Sequence, residues 1–163
     1  MFNVAIICMS DKGSKGERED LSTKVIEEIV TSRGYNVTEK ILIPDEIDII
    51  KKNLIRVCDE EIANLILTTG GTGFSKRDVT PEATEEIIEK RVPGIPEAIR
   101  AYSMTITKRA MLSRATAGIR KNTLIINLPG SPKAVKESLE YIIDDLKHGL
   151  EILLGTAHEC AKK

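Results

Sequence analysis

The chain has 163 residues, 41% of them hydrophobic, which is the length of one ordinary domain with a substantial core. Its 24 Lys and Arg balance 25 Asp and Glu, leaving a formal charge of −1 and no basic field to draw nucleic acid or an anionic membrane. Aromatic residues make up only 3%, with no tryptophan, so the stacking surfaces that single strands need are also missing.

Phe2 to Cys8 is a β-branched-rich run suited to a buried strand. Leu21 to Arg33 repeats apolar residues at helical spacing (Leu21, Val25, Ile26, Ile29, Val30), and Gly34 ends it. Tyr35 to Ile43 alternates as a strand. Pro44-Asp45 then turns into a helix over residues 46–59, with Ile47, Ile50, Leu54 and Val57 on one side. Ile62 to Thr69 is the third strand. Helical spacing returns over Pro81 to Lys90, with Thr80 as N-cap and Pro81 at the first position, and Pro93-Gly94-Ile95-Pro96 starts another helix reaching about Thr107. Arg114 to Arg120 and Asn122 to Leu128 read as two neighbouring strands, after which Ser131-Pro132 caps a long final helix through about Leu154. Strands alternating with helices at these lengths predict a single three-layer α/β/α domain over residues 1–163 with a mostly parallel central sheet.

The three cysteines, Cys8, Cys58 and Cys160, form no C-x-x-C pair, and His148 and His158 form no zinc pattern, so any metal needs oxygen ligands. The first residues open directly into a strand without a basic leader, and no apolar stretch approaches membrane length, so a cytoplasmic protein is expected.

The densest signal follows the third strand, where Thr69-Gly70-Gly71-Thr72-Gly73 crosses three glycines in four residues and enters a helix. Glycine lets a backbone approach an anion closely, and a helix start offers unpaired N–H groups. Lys76 and Arg77 add cations, while Asp78 adds an acid that phosphate alone would not attract, so a metal or a proton transfer is called for. The segment is neither a P-loop, since no Gly-Lys-Ser/Thr exists, nor a dinucleotide fingerprint, since the third glycine is missing at its spacing. Leu128-Pro129-Gly130-Ser131-Pro132 is built alike and offers a second anion or nucleotide-edge turn.

In folds of this class ligands bind outside the carboxyl ends of the strands. Ser10-Asp11, Asp45, Thr69 to Asp78 and Pro129 to Pro132 are all expected on that rim. Asp45 fits either a helix N-cap or an acid facing a metal. Several carboxylates beside expected phosphates point to Mg²⁺, which takes one or two carboxylates and completes its shell with water and phosphate oxygens. Phosphoryl or nucleotidyl transfer is the chemistry such a site serves. Arg114, beside Ser113, fits either a bidentate anion contact or a structural role.

Met9-Ser10-Asp11 with Gly16 and Asp20, Ile43-Pro44-Asp45-Glu46, Thr68 to Pro81 and Leu128 to Pro132 together resemble the MogA/MoaB family of molybdopterin adenylyltransferases, related to the G domain of gephyrin. The resemblance covers almost the whole chain. It implies transfer of AMP from Mg²⁺-ATP to the terminal phosphate of molybdopterin, with release of pyrophosphate, ahead of molybdenum or tungsten insertion by a further protein. The two acids linked with catalysis in the family's motifs fall on Asp45 and Asp78. Substrate and nucleotide contacts are implied for Ser10, Asp11, Thr69, Gly70, Gly71, Thr72, Gly73, Ser113, Arg114, Pro129, Gly130 and Ser131, with Asp45 and Asp78 as Mg²⁺ ligands. Thr23 stands where many relatives have glycine. The family also implies a homo-oligomer, a trimer or a hexamer, or in the alternative a non-catalytic scaffold that binds molybdopterin. The stretch Ile95 to Ala117 carries Ile95, Ile99, Tyr102, Met104, Ile106, Met111 and Leu112, which pack either on a neighbouring copy or on the chain's own sheet.

Overall fold

The central apolar runs of residues 3–9, 65–69 and 123–128 become strands buried on both faces, and a sheet covered on both sides needs helices to supply the apolar contact. A computed structural model describes residues 1–156; Cys160 and His158 lie outside the described residues. Six strands form one sheet: β1 (Asn3–Met9), β2 (Asn36–Ile43), β3 (Leu65–Thr69), β4 (Lys90–Arg91), β5 (Ala117–Arg120) and β6 (Thr123–Leu128). Their order is β2-β1-β3-β6-β5-β4. The first four are parallel, with Val4 opposite Leu65 and Leu65 opposite Leu124, whereas β5 and β4 run antiparallel. The expected three-layer, mostly parallel architecture is therefore present.

The period of two along β1 sends Val4 and Ile6 to one face and Ala5, Ile7 and Met9 to the other. The first face packs under α2 (Leu21–Ser32), α5 (Gly94–Met104) and α6 (Pro132–Leu153) through Ile26, Val30, Ile99, Val135, Leu139 and Ile143. The second packs under α3 (Ile47–Asp59) and α4 (Thr80–Ile87) through Ile50, Leu54, Val57, Ala83 and Ile87. Among the described residues no helix is long and apolar enough to cross a membrane.

Several local expectations change. A four-residue helix, α1 (Asp11–Ser14), follows β1 and is too short for periodicity to reveal. The helix expected over Pro81 to Lys90 stops at Ile87, because Lys90 and Arg91 form an edge strand against β5. Thr80 is the first helical residue and not the cap; Val79 precedes it, and the Thr80 hydroxyl donates to the Gly70 carbonyl at 2.9 Å. The helix expected to reach Thr107 ends at Met104, and Lys108–Leu112 forms a separate 3₁₀ turn. The strand expected from Arg114 begins only at Ala117, since Arg114 is committed to the glycine loop.

Candidate active site

The carboxyl ends of β1, β3 and β6 open on one cavity of about 460 Å³. It gathers Ser10 from the end of β1, Asp45 from the end of β2, Thr69, Gly70, Gly71 and Asp78 from the segment after β3, and Gly130 and Ser131 from the turn after β6. The starts of α2 and α6 complete the wall through Asp20, Leu21, Ser22, Ser131 and Pro132. Ser131 caps α6 by accepting the Ala134 N–H, and Asp20 caps α2 by accepting that of Thr23, so two helices of twelve and twenty-two residues turn their positive ends to the cavity. A second cavity of about 300 Å³ adjoins the same loop and is lined by Thr72, Gly73, Ser113 and Pro129 with Arg100 and Arg109.

The loop is held from below by buried polar groups, of which Asn127 and Thr84 were not singled out in the sequence. Asn127, fully buried in β6, donates to the hydroxyls of Thr68 and Thr84 at 3.1 and 3.0 Å. Thr84 donates to the carbonyl of Thr80, which in turn holds Gly70. Thr69 donates to the Pro129 carbonyl at 2.6 Å, tying the two turns, and Ser22 ties α2 to Gly130 at 2.8 Å. Gly70 and Gly71 adopt φ of 91° and 70°, values an L side chain resists. Gly73 does not have a positive φ. The space next to Gly71 and Gly73 holds the protein's own groups. A Cβ on Gly71 would lie 2.2 Å from Thr80 Oγ1 and 3.2 Å from Asp45 Oδ1, and one on Gly73 would lie 2.9 Å from Asp78 Oδ2. The glycines thus let two acids approach the loop backbone.

Asp45 does not cap α3; Glu46 stands at that position without a side-chain bond. Instead Asp45 and Asp11 exchange hydrogen bonds, each carboxylate accepting the other's backbone N–H at 3.0 Å. Burial holds the Asp45 carboxyl above the ordinary carboxylate range, and the nearby charges of Asp11 and Asp78 add to the effect. Asp78 accepts the Ser75 N–H at 2.9 Å, which fixes its side chain against the loop. Asp11 itself lies outside the cavity wall, where Arg77 donates to both its oxygens at 2.9 and 3.0 Å and to Glu46 at 2.8 Å. Those hydrogen bonds hold the Asp11 carboxyl below its usual range.

Arg77, read in the sequence as a cation for the anion, is therefore committed to a clamp between the loop, α1 and the start of α3. Arg114 is likewise engaged: its guanidinium donates to the carbonyls of Gly73 and Asp78, both at 2.7 Å, and pairs with Glu82. Lys76 stays exposed on the loop. Ser10 accepts the Gly13 N–H at 2.9 Å and so caps α1. Cys8, Arg18, Glu19 and Ser22 line the main cavity although no sequence signal marked them as site residues. Among the described residues no three acidic, histidine or cysteine side chains gather as a ligating cluster. Of the carboxylates on the cavity wall, Glu19 pairs with Lys24 and Asp20 caps α2, which leaves Asp45 and Asp78 beside the glycine loop.

The sequence pattern of the probable molybdopterin binding domain matches residues 5–148 of this chain. The chain belongs to that family. A protein of Helicobacter pylori (strain ATCC 700392 / 26695) named molybdopterin adenylyltransferase is 42% identical over 164 residues, spanning 99% of this chain and 93% of the relative. The crystal structure of the molybdopterin biosynthesis enzyme MoaB from Thermus thermophilus superposes with a TM-score of 0.89 at 46% identity, covering 95% of this chain and 98% of that one. The tungsten cofactor synthesizing protein MoaB from Pyrococcus furiosus superposes at 0.85 with 35% identity, covering 93% and 96%.

Proposed function

We propose that this chain is a molybdopterin adenylyltransferase that carries AMP from ATP to the terminal phosphate of molybdopterin. The observation that carries the reading is the pair Asp45 and Asp78 on one cavity, set against the glycine loop between two helix starts. A relative bearing that name matches at 42% identity over nearly the full length of this chain, which supports the same reading.

In the proposed reaction a phosphate oxygen of the pterin attacks the α-phosphorus of ATP, and the bond to the β-phosphate breaks so that pyrophosphate leaves with the electron pair. Two polyanions must meet, and the helix starts of α2 and α6 offset part of their repulsion. Two cavities on one loop, the first lined by Gly70 and Gly71 and the second by Thr72 and Gly73, suit a reaction with two substrates of this size. Mg²⁺ fits the donor set: Asp45 and Asp78 would hold it through hard carboxylate oxygens on one wall, and ionised Asp45 is disfavoured by its burial and by its acidic neighbours. Charge neutralisation on the phosphates as the P–O bond is cut is the chemistry that such an ion would supply. Asp11 and Arg77 orient Asp45 from behind, and Arg114 holds the carbonyls of Gly73 and Asp78.

A test is incubation of the full chain with molybdopterin, Mg²⁺ and ATP. Adenylylated pterin and stoichiometric pyrophosphate are expected; their absence with authentic substrate refutes the activity and leaves a binding or scaffold role. The product then passes to a protein that inserts molybdenum or tungsten. Cytoplasmic residence belongs to the same proposal, consistent with the buried free thiols of Cys8 and Cys58.

A homo-oligomer, trimer or hexamer, is also proposed. Ile99 is buried in the monomer core and Ile95 packs on it, but Met104, Ile106, Met111 and Leu112 are each more than 40% exposed around one end of α5 and the 3₁₀ turn. Tyr102 stacks on Tyr141 at 4.2 Å between centroids. Exposed apolar surface of this kind is reduced by association. Light scattering should give a multiple of 18 kDa, and a monomer mass would withdraw the claim.

A further inference from the structure

The main cavity is built for phosphates and yet is poor in positive charge. Among the described residues its wall carries four carboxylates, Glu19, Asp20, Asp45 and Asp78, and a single basic side chain, Arg18. Of the cations that the sequence placed near the anion, Lys76 stays exposed on the loop outside the cavity wall, and the two arginines are committed elsewhere. Arg77 serves Asp11 and Glu46, and Arg114 serves two carbonyls and Glu82. Lys24, at the start of α2, pairs with Glu19. Arg18, by contrast, makes no hydrogen bond and no ion pair with any of the described residues, and it stands on residues 15–20, directly before the capped start of α2. It lines the same cavity as Cys8, Asp45 and Asp78.

We infer that Arg18 is a substrate-binding residue whose guanidinium takes the oxygens of a phosphate group in this cavity. The inference rests on the adenylyl-transfer reading for the identity of its substrates. A guanidinium presents a planar fork of N–H donors that matches two phosphate oxygens at once, and it stays charged at every physiological pH. On a wall with four carboxylates, a dianionic or more highly charged ligand needs a fixed cation besides any metal. Arg18 is the side chain of this wall that supplies one. The shared chemistry is a phosphate oxyanion, carried by both the triphosphate of ATP and the phosphate monoester of molybdopterin. An exposed arginine with no ligand is the competing account, and the two differ in substrate dependence.

The full chain is assayed for AMP transfer as wild type, Arg18→Ala and Arg18→Lys, with Lys52→Ala as an exposed cation of α3 outside the cavity wall. Arg18 is exposed, so equal melting temperatures are expected for all four proteins. Arg18→Ala should raise one KM roughly tenfold or more, the loss expected for a hydrogen-bonded charge, with kcat within about threefold of wild type. Arg18→Lys should recover part of the loss. A rise in the KM for ATP assigns the triphosphate, and a rise in the KM for molybdopterin assigns the monoester. No KM change, a change equal to that of Lys52→Ala, or a fall in kcat alone overturns the inference. Titration of inorganic pyrophosphate with Mg²⁺ into the same proteins gives an independent readout. If wild type binds pyrophosphate but transfers no AMP, the activity reading fails while Arg18 is still judged by its binding. If Arg18→Ala binds pyrophosphate as tightly as wild type and shows no change in either KM, the residue is only a surface cation.

Discussion

Replacing Gly71 with alanine should cost far more than the same change at Gly34, although both glycines have similar backbone angles. Gly71 has φ of 70° and Gly34 of 80°. An L side chain in this left-handed region costs about 1–2 kcal/mol at either site. At Gly34 a Cβ meets nothing within 4 Å, so strain is the whole penalty, and a stiffer unfolded chain offsets about 0.4–1 kcal/mol of it. At Gly71 the Cβ would sit 2.2 Å from Thr80 Oγ1. Thr80 is fully buried, so its hydroxyl can clear the new atom only by leaving the Gly70 carbonyl and losing its partner, at about 1–3 kcal/mol more. For a domain of this size each kcal/mol moves Tm by about 2–4 °C, so Gly34→Ala should lower Tm by a few degrees and Gly71→Ala by on the order of 10 °C. Activity should separate them further. The Gly71 Cβ also lies 3.2 Å from Asp45 Oδ1, and displacement of a positioned group by about 1 Å can cost ~10²-fold in rate. Thermal unfolding alongside the AMP-transfer assay decides the matter. Equal destabilisation of the two variants, with wild-type turnover for Gly71→Ala, would show that the loop is an ordinary turn.

Asp78→Asn should keep the fold, since the amide oxygen can still accept the Ser75 N–H, while AMP transfer falls by about 10²-fold or more; a parental rate would remove Asp78 from the chemistry. Asp45→Asn should abolish most activity and yet stabilise the metal-free protein at pH 7. Burial, with Asp11 and Asp78 nearby, raises the folded pKa of Asp45 above 3.8, so the ionised form disfavours the fold at neutral pH. The gain should shrink as pH falls through the folded pKa, because the wild-type carboxyl then protonates, and a variant less stable than wild type at pH 7 would contradict this. Asp59 has the opposite sign: hydrogen bonds from Arg120 at 2.9 and 3.0 Å lower its pKa, so its contribution is present above 3.8 and lost as pH falls through the folded value. Urea unfolding of wild type and Asp59→Asn should converge in acid, and a gap that persists or widens there would contradict the pairing.

The architecture was legible because it depends on periodicity. Short β-branched runs such as Val4 to Ile7 and Leu124 to Ile126 read as buried strands, and the spacing of Ile26, Val30, Leu139 and Ile143 places helices over them. The rim was legible for the same reason, since strand ends and caps such as Ser131 are local in sequence. The partners of each charged group were not. Arg77 reaches Asp11 across 66 positions, and Asp45 is turned from a possible cap into a constrained acid by a backbone N–H 34 residues away. Neither pairing leaves a local pattern. Asn127 reads in sequence as one polar residue in an apolar strand, and only the packing of α4 against β3 and β6 makes it the support of the glycine loop. Arg18 carries no motif at all, and its place on the cavity wall follows from where the chain before α2 comes to lie. Short-range stereochemistry and hydrophobic spacing thus determined the layers and the rim, while long-range packing decided which charges face the cavity and which are neutralised behind it.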